Sequence, residues 1–295
     1  MVILCRKSDA FFFSICLGTL LVFICSPLSA NRNNDFKVYD STLYSDKPDL
    51  QAFGVEDLDT FYAGSIWGKD HPIQEIPPRE SVQKFLAQKS NLTEMIVLDI
   101  EHWSLKGSDV QTSINIQKIS QTIGMFREVE PYRRYGVYGI IPIREYHCPQ
   151  RESSDPCWAI WGYQNERLKP LISDVDALFP SIYTFYEDKA GWQKYAIAQI
   201  RAARSIAPNK RVYAFLWPQY HPSNKLRSYV YIGDEFWRLQ LDVALQYADG
   251  LVIWGGWDFE NRKQAAWGTA PDWWQITEQW IDINLVEPKS QPSTE

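Results

Sequence analysis

MIVLDIEHW, Met95 to Trp103, decides how the rest of the chain is read. In an extended strand alternate residues share a face, so Val97, Asp99, Glu101 and Trp103 point one way and Ile96, Leu98 and Ile100 the other. The second face is wholly apolar and predicts packing against helices. The first ends in two carboxyl groups roughly 7 Å apart along the strand, where one ionised carboxylate hinders ionisation of the other and keeps one acid protonated near neutrality. A strand buried on both faces belongs to a parallel sheet, and its C-terminal end is where barrel enzymes carry catalytic groups. Two acids on a buried face are costly without a task, so the pair reads as functional rather than as structural acids paired with an arginine. A proton donor beside a second carboxylate is what glycoside hydrolysis requires.

Outward from this strand the pattern repeats. YGVYGIIPI from Tyr135, DALFPSIYTFY from Asp176, RVYAFLWPQY from Arg211 and DGLVIWGGWDF from Asp249 follow at a spacing of about forty residues, which suits a strand, a helix and two loops. Between them Ile116, Ile119, Ile123 and Phe126 keep helical spacing before Pro131, and Phe236, Leu239, Val243 and Tyr247 do so before Asp249-Gly250. Trp192 to Ile206 is a third helix, closed by Pro208. Phe61 to Trp67 reads as a further strand and Phe36 to Tyr44 as a weaker one. The alternation implies an α/β fold, and a TIM-like (β/α) barrel, with room for fewer than eight regular strands, is the preferred closure. An open doubly wound sheet is the competing arrangement, but no Gly-rich nucleotide turn follows an early strand.

Arg6 and Lys7 precede an apolar run from Ala10 that reaches Ser26, Ser29 and Ala30, so residues 1–30 read as a secretory signal. An uncleaved membrane anchor is the competing reading, because the run is longer than an ordinary signal core. Residues 31–286 form one domain in this reading, and the polar tail 287–295, with Pro288 and Pro292, is expected to be disordered. Without Arg6, Lys7 and Asp9 the balance moves from 30 basic and 36 acidic side chains to 28 and 35, a net charge of −7. Such a surface argues against nucleic acid as a partner. Of the five cysteines, Cys148 and Cys157 remain after the leader, and in an exported chain an even pair reads as a disulfide. His147 beside Cys148 lacks the second ligand pair of a zinc site, so neither a metal nor a cofactor is expected. Asn91-Leu92-Thr93 fits a glycosylation sequon. His71, His102, His147 and His221 read as packing or surface histidines.

On these strand ends the chain resembles a hyaluronidase-type glycoside hydrolase, the retaining barrel family that cleaves N-acetylhexosaminide bonds. LDIEHW resembles the family's Asp-Trp-Glu-x-Trp, YGVYGIIPI its Gly-Leu-Trp-Gly-Phe-Tyr, ALFPSIY its Leu-Phe-Pro-Ser-Ile-Tyr, and ADGLVIWGGW its Ala-x-Gly-Val-Val-Leu-Trp-Gly-Ser. The resemblance implies Glu101 as proton donor and Asp99 as the group that positions the substrate's acetamido arm. It implies Tyr183 beside that arm, Tyr220 as a second active-site tyrosine, Trp254 against the sugar at the cleavage point, and Trp103 in the substrate-binding set. Cys148 and Cys157 lie close to a short disulfide loop of the family, shifted in register.

The chain departs from the family in placing Ser104-Leu105 where members acting on hyaluronan carry Arg-Pro, and Gly256 where they carry Ser. The resemblance implies a retaining endo-glycosidase acting on a polysaccharide through substrate-assisted catalysis, in which the sugar's own acetamido oxygen attacks the anomeric carbon; the leader makes it a secreted one, and a monomer is expected. A non-catalytic glycan-binding protein on a hydrolase-like barrel is the competing function. It leaves a proton donor without a purpose.

Overall fold

The computed structural model describes residues 35–68, 71–269 and 272–286. The expected leader over 1–30 and the tail from Glu287 lie outside them. Eight short strands, all parallel to their neighbours, build the centre: β1 Lys37–Thr42, β2 Glu56–Asp57, β3 Asp59–Tyr62, β4 Met95–Asp99, β5 Arg134–Val137, β6 Ala177–Leu178, β7 Arg211–Leu216 and β8 Gly250–Gly255. β2 and β3 are one strand interrupted at Leu58, whose N–H still reaches the Asp40 carbonyl at 3.0 Å. β2 pairs with β1 and β3 with β4. β5 meets the β6 strand through the parallel Tyr138–Phe179 bridge, and β8 pairs back onto β1 over its whole length. The ladder therefore closes on itself as a barrel of seven strand runs.

The run after Asp176 keeps regular pairing only at Ala177–Leu178 because Pro180 has no N–H to give to the ladder. The strand continues as bridges, Ser181 to Phe215 and Thr184 to Tyr220. Phe61 to Trp67 corrects the expectation of a continuous strand. β3 stops at Tyr62, and Ala63–Trp67 winds into a short helix, α1, that buries Ile66 and Trp67 and ends at Gly68 with φ 79°.

Alternation along the strands sorts the apolar residues into two layers. Tyr39, Val97, Phe179, Tyr213, Phe215 and Val252 fill the bore. Val38, Phe61, Ile96, Leu98, Val212, Ala214, Leu251 and Ile253 face outward into the shell of helices. Gly136 belongs to the bore packing, because a Cβ there would come within 2.2 Å of the Phe179 ring.

The shell comprises α2 Arg79–Ala87, α3 Asp109–Val129, α4 Cys157–Glu166, α5 Lys189–Ile206, α6 Asp234–Tyr247 and α7 Trp273–Asn284. Ile116, Ile119, Ile123 and Phe126 are buried along one side of α3, as their spacing requires. Ser108 and Asp188 cap α3 and α5 by accepting the N–H of Gln111 and Gly191. α7 was not legible as a helix. Its Trp280 packs edge-on against Phe36 at 6.1 Å and anchors it to the start of β1.

Candidate active site

A cleft of about 180 Å³ opens at the C-terminal ends of the strands. β4 brings Asp99 as its last residue, and Glu101 follows two residues beyond. β3 brings Tyr62, in register with Asp99. Tyr138, Tyr183, Trp217 and Trp254 come from the ends of four further strand runs, and Phe259 and His221 from the loops after them.

The two carboxyl groups sit in different surroundings. Glu101 is exposed at the cleft. Asp99 is held in the wall, with Oδ1 buried and lacking a hydrogen-bond partner. Burial raises its pKa from 3.8 to about 7, and the charge of Glu101 adds to the rise. The acid raised toward neutrality is Asp99, which the resemblance makes the positioning group, and desolvation is the larger cause, ahead of the neighbouring carboxylate that the spacing put first.

The remaining wall is aromatic. Trp254 donates its indole N–H to the Tyr62 hydroxyl at 2.7 Å and stacks on Tyr183 at 6.0 Å with 28° between planes. Trp217 stands edge-on to Trp254 at 4.8 Å. Tyr138 and Ser181 hydroxyls meet at 3.0 Å. Burial raises the phenol pKa of Tyr62 to about 12 and raises those of Tyr138 and Tyr183 further, so these hydroxyls stay protonated and can donate.

Of the residues singled out from sequence, Asp99, Glu101, Tyr183 and Trp254 converge on the cleft. Trp103 and Tyr220 do not. The strand ends at Asp99, the chain bends after Glu101, and Trp103 turns into the helix-side core. There its N–H donates to the Ile73 carbonyl at 3.1 Å and its ring packs on Trp67 at 5.5 Å. Tyr220 is bound through its backbone to Val230 and Tyr229, and its side chain lines a separate hollow beside Glu187, Lys189 and Phe236. In the same segment Trp217 and His221 face the cleft instead. His221 therefore belongs to the site wall, whereas His102 packs against Trp67 and Trp103.

Tyr62, Tyr138, Trp217 and Arg144 are cleft residues that the sequence reading passed over, and His221 is one that it read as a packing or surface histidine. Tyr62 and Tyr138 lay inside runs already read as strands, and only the register of those strands separates them from core aromatics. Gly256 replaces the expected serine for a local reason: its φ is 77°, and a Cβ would come within 2.5 Å of the Tyr44 backbone nitrogen. Cys148 and Cys157 are joined, with Cα atoms 5.7 Å apart, at the start of α4. Among the described residues no group of three or more His, Cys, Asp or Glu is placed to hold a metal ion.

No protein-family model matches the chain. A hyaluronidase of Polistes annularis is 22% identical over 172 residues, 55% of this chain, and the match spans 46% of the relative, about half its length. The crystal structure of bee venom hyaluronidase superposes with a TM-score of 0.62 at 14% identity, over 85% of this chain and 98% of that one. The same enzyme in complex with a hyaluronic acid tetramer superposes with a TM-score of 0.60 at 14% identity, over 85% and 97%. The barrel is thus that of the bee venom enzyme, and the chain resembles hyaluronidase-type glycoside hydrolases.

Proposed function

We propose that this protein is a secreted retaining endo-glycosidase that cleaves N-acetylhexosaminide bonds in a glycosaminoglycan or related polysaccharide. The observation that carries the reading is the placement of Glu101 and Asp99 side by side in one aromatic-walled cleft, one exposed and one buried with an unused acceptor. A retaining reaction with a single accessible acid needs a nucleophile from elsewhere, and the substrate's acetamido oxygen supplies it.

Glu101 protonates the glycosidic oxygen as the acetamido oxygen bonds to the anomeric carbon and the leaving sugar departs. It then takes a proton from the water that reopens the ring. Asp99 Oδ1 accepts the acetamido N–H, and its carboxylate form opposes the positive charge that the cyclised intermediate develops. Tyr183 donates its hydroxyl toward the same group, and Trp254 forms the floor on which the sugar face rests. Export is supported by the Cys148–Cys157 disulfide and by the leader-like residues 1–30.

The test is incubation of purified protein with hyaluronan, chondroitin and chitin oligomers, followed by analysis of new reducing ends and their anomeric form. Retention with N-acetylhexosamine at the new reducing end supports the reading. Inverted product excludes the neighbouring-group route, and the absence of any product excludes the glycosidase. Intact mass of the exported protein with Asn31 at its N-terminus is the expected result for leader removal.

A further inference from the structure

Asn91-Leu92-Thr93 is the single Asn-x-Ser/Thr triplet of the chain, with no proline at its middle position. It lies in the bend between α2 and β4, at the N-terminal end of the barrel and so on the opposite face from the cleft. Asn91 is exposed, and among the described residues its side chain makes no hydrogen bond. It lines an open polar hollow of about 730 Å³ together with Gln51, Tyr39, Tyr213 and Arg134. Charged groups around that hollow are paired with one another: Lys37 with Glu56, Arg134 with Glu94 at 3.3 Å, and Arg211 with Asp35 at 3.1 Å. What the hollow offers is open room beside a free carboxamide.

Thr93 is the opposite case. Its hydroxyl accepts the Asp59 N–H at 3.0 Å and donates to the Met95 carbonyl at 2.6 Å, and its own N–H donates to Asp59 Oδ2 at 2.8 Å. These bonds tie the first residue of β3 to the first residue of β4. In the folded protein the carboxamide of the triplet is free, whereas the hydroxyl that a glycan-transferring enzyme must also read is committed to the barrel.

We propose that Asn91 carries an N-linked oligosaccharide, attached while β3 and β4 are still unpaired. In the transfer, Asn91 Nδ2 takes the anomeric carbon of a polyprenyl-diphosphate oligosaccharide: the C–N bond forms, the bond from that carbon to the diphosphate oxygen breaks, the amide releases one proton, and the lipid diphosphate leaves. The attachment rests on the export part of the proposed function and is independent of the chemistry in the cleft. The N-terminal face of the barrel becomes the sugar-covered side of the molecule, and the cleft face stays open.

The experiment expresses the full chain, residues 1–295, in insect cells and reads the intact mass of the secreted protein before and after peptide-N-glycosidase, beside Asn91→Gln. A single oligosaccharide mass, lost on enzymatic release and absent from Asn91→Gln, is the expected result. The variant changes an exposed side chain that makes no hydrogen bond among the described residues, so its secretion is expected to match wild type. Secreted protein with the Cys148–Cys157 bond closed and Asn91 unmodified overturns this proposal and leaves export standing. Protein retained in the cell with residues 1–30 attached, its cysteines reduced and Asn91 bare overturns both. A second arm supplies detergent-solubilised microsomes with folded, unmodified protein or with a synthetic peptide of residues 86–98. Modification of the peptide alone is expected, and modification of the folded protein at the peptide's rate overturns the order of events.

Discussion

Trp254 on β8 and Tyr62 on β3 are joined by a 2.7 Å hydrogen bond across the mouth of the barrel. The bond holds the Trp254 ring upright, stacked on Tyr183, and sets the Tyr62 hydroxyl beside Asp99, whose charge contributes to the high pKa of that phenol. A cleft wall is thus fixed by polar contact where most of the barrel is fixed by packing.

Trp254→Phe keeps an aromatic floor and removes the N–H. Loss of that bond is expected to cost about 1 kcal/mol of stability, seen as a drop of roughly 2–4 °C in Tm, with kcat/KM on polysaccharide falling about tenfold. Tyr62→Phe should lower kcat/KM comparably, whereas Tyr220→Phe, outside the cleft, should leave it within about twofold. Equal losses at Tyr62 and Tyr220 in a reducing-end assay would speak against the cleft as the working site.

Glu101→Gln removes the proposed proton donor from an exposed position where the amide is readily accommodated. Polymer cleavage should fall by about 10² to 10⁴, with circular dichroism and Tm unchanged. Wild-type turnover in this variant would remove Glu101 from the mechanism.

The folded-state pKa of Asp99, about 7, exceeds its ordinary value of 3.8. Between those values the folded protein binds more protons at this site than the unfolded chain, so stability falls as pH rises through the window. Asp99→Asn abolishes this titration. Its stability from denaturant unfolding should depend less on pH from about 4 to 7 than that of the wild type, with the variant gaining relative to wild type toward the alkaline end. Parallel profiles would show that Asp99 titrates as an ordinary carboxyl.

The disulfide closes a short loop, with a sequence separation of 9. The Cys148→Ser, Cys157→Ser double variant is expected to lose about 2–3 kcal/mol through the released unfolded-state entropy. A calorimetric Tm equal to that of wild type would assign the loop's order to its own packing, including the Trp161 N–H bond to the Ile143 carbonyl at 2.7 Å.

The barrel was legible because its strands are apolar on both faces and recur at even spacing, so period and length alone imply a parallel α/β ring. The acid pair was legible because two carboxyl groups at strand spacing inside an apolar run need a reason. Trp103 was misplaced because alternation is a property of strands, and the strand ends at Asp99. Tyr220 was misplaced for a related reason: after Pro218 the backbone pairs with the 229–231 segment and rotates the following side chains. Tyr62 carried no signal of its own, since one tyrosine in a strand is as readily core as cleft. Which carboxyl is desolvated depends on how far the neighbouring strand ends project, and that is set by register across the whole ring.

The bore beneath the cleft is plugged by Tyr39, Phe179, Tyr213 and Phe215, with Tyr39 and Tyr213 edge-to-face at 5.2 Å. Among the described residues these rings fill the barrel axis, so whatever enters at the strands' C-terminal rim exits by the same doorway. On the proposed function, a long chain molecule would accordingly lie across that rim rather than thread it.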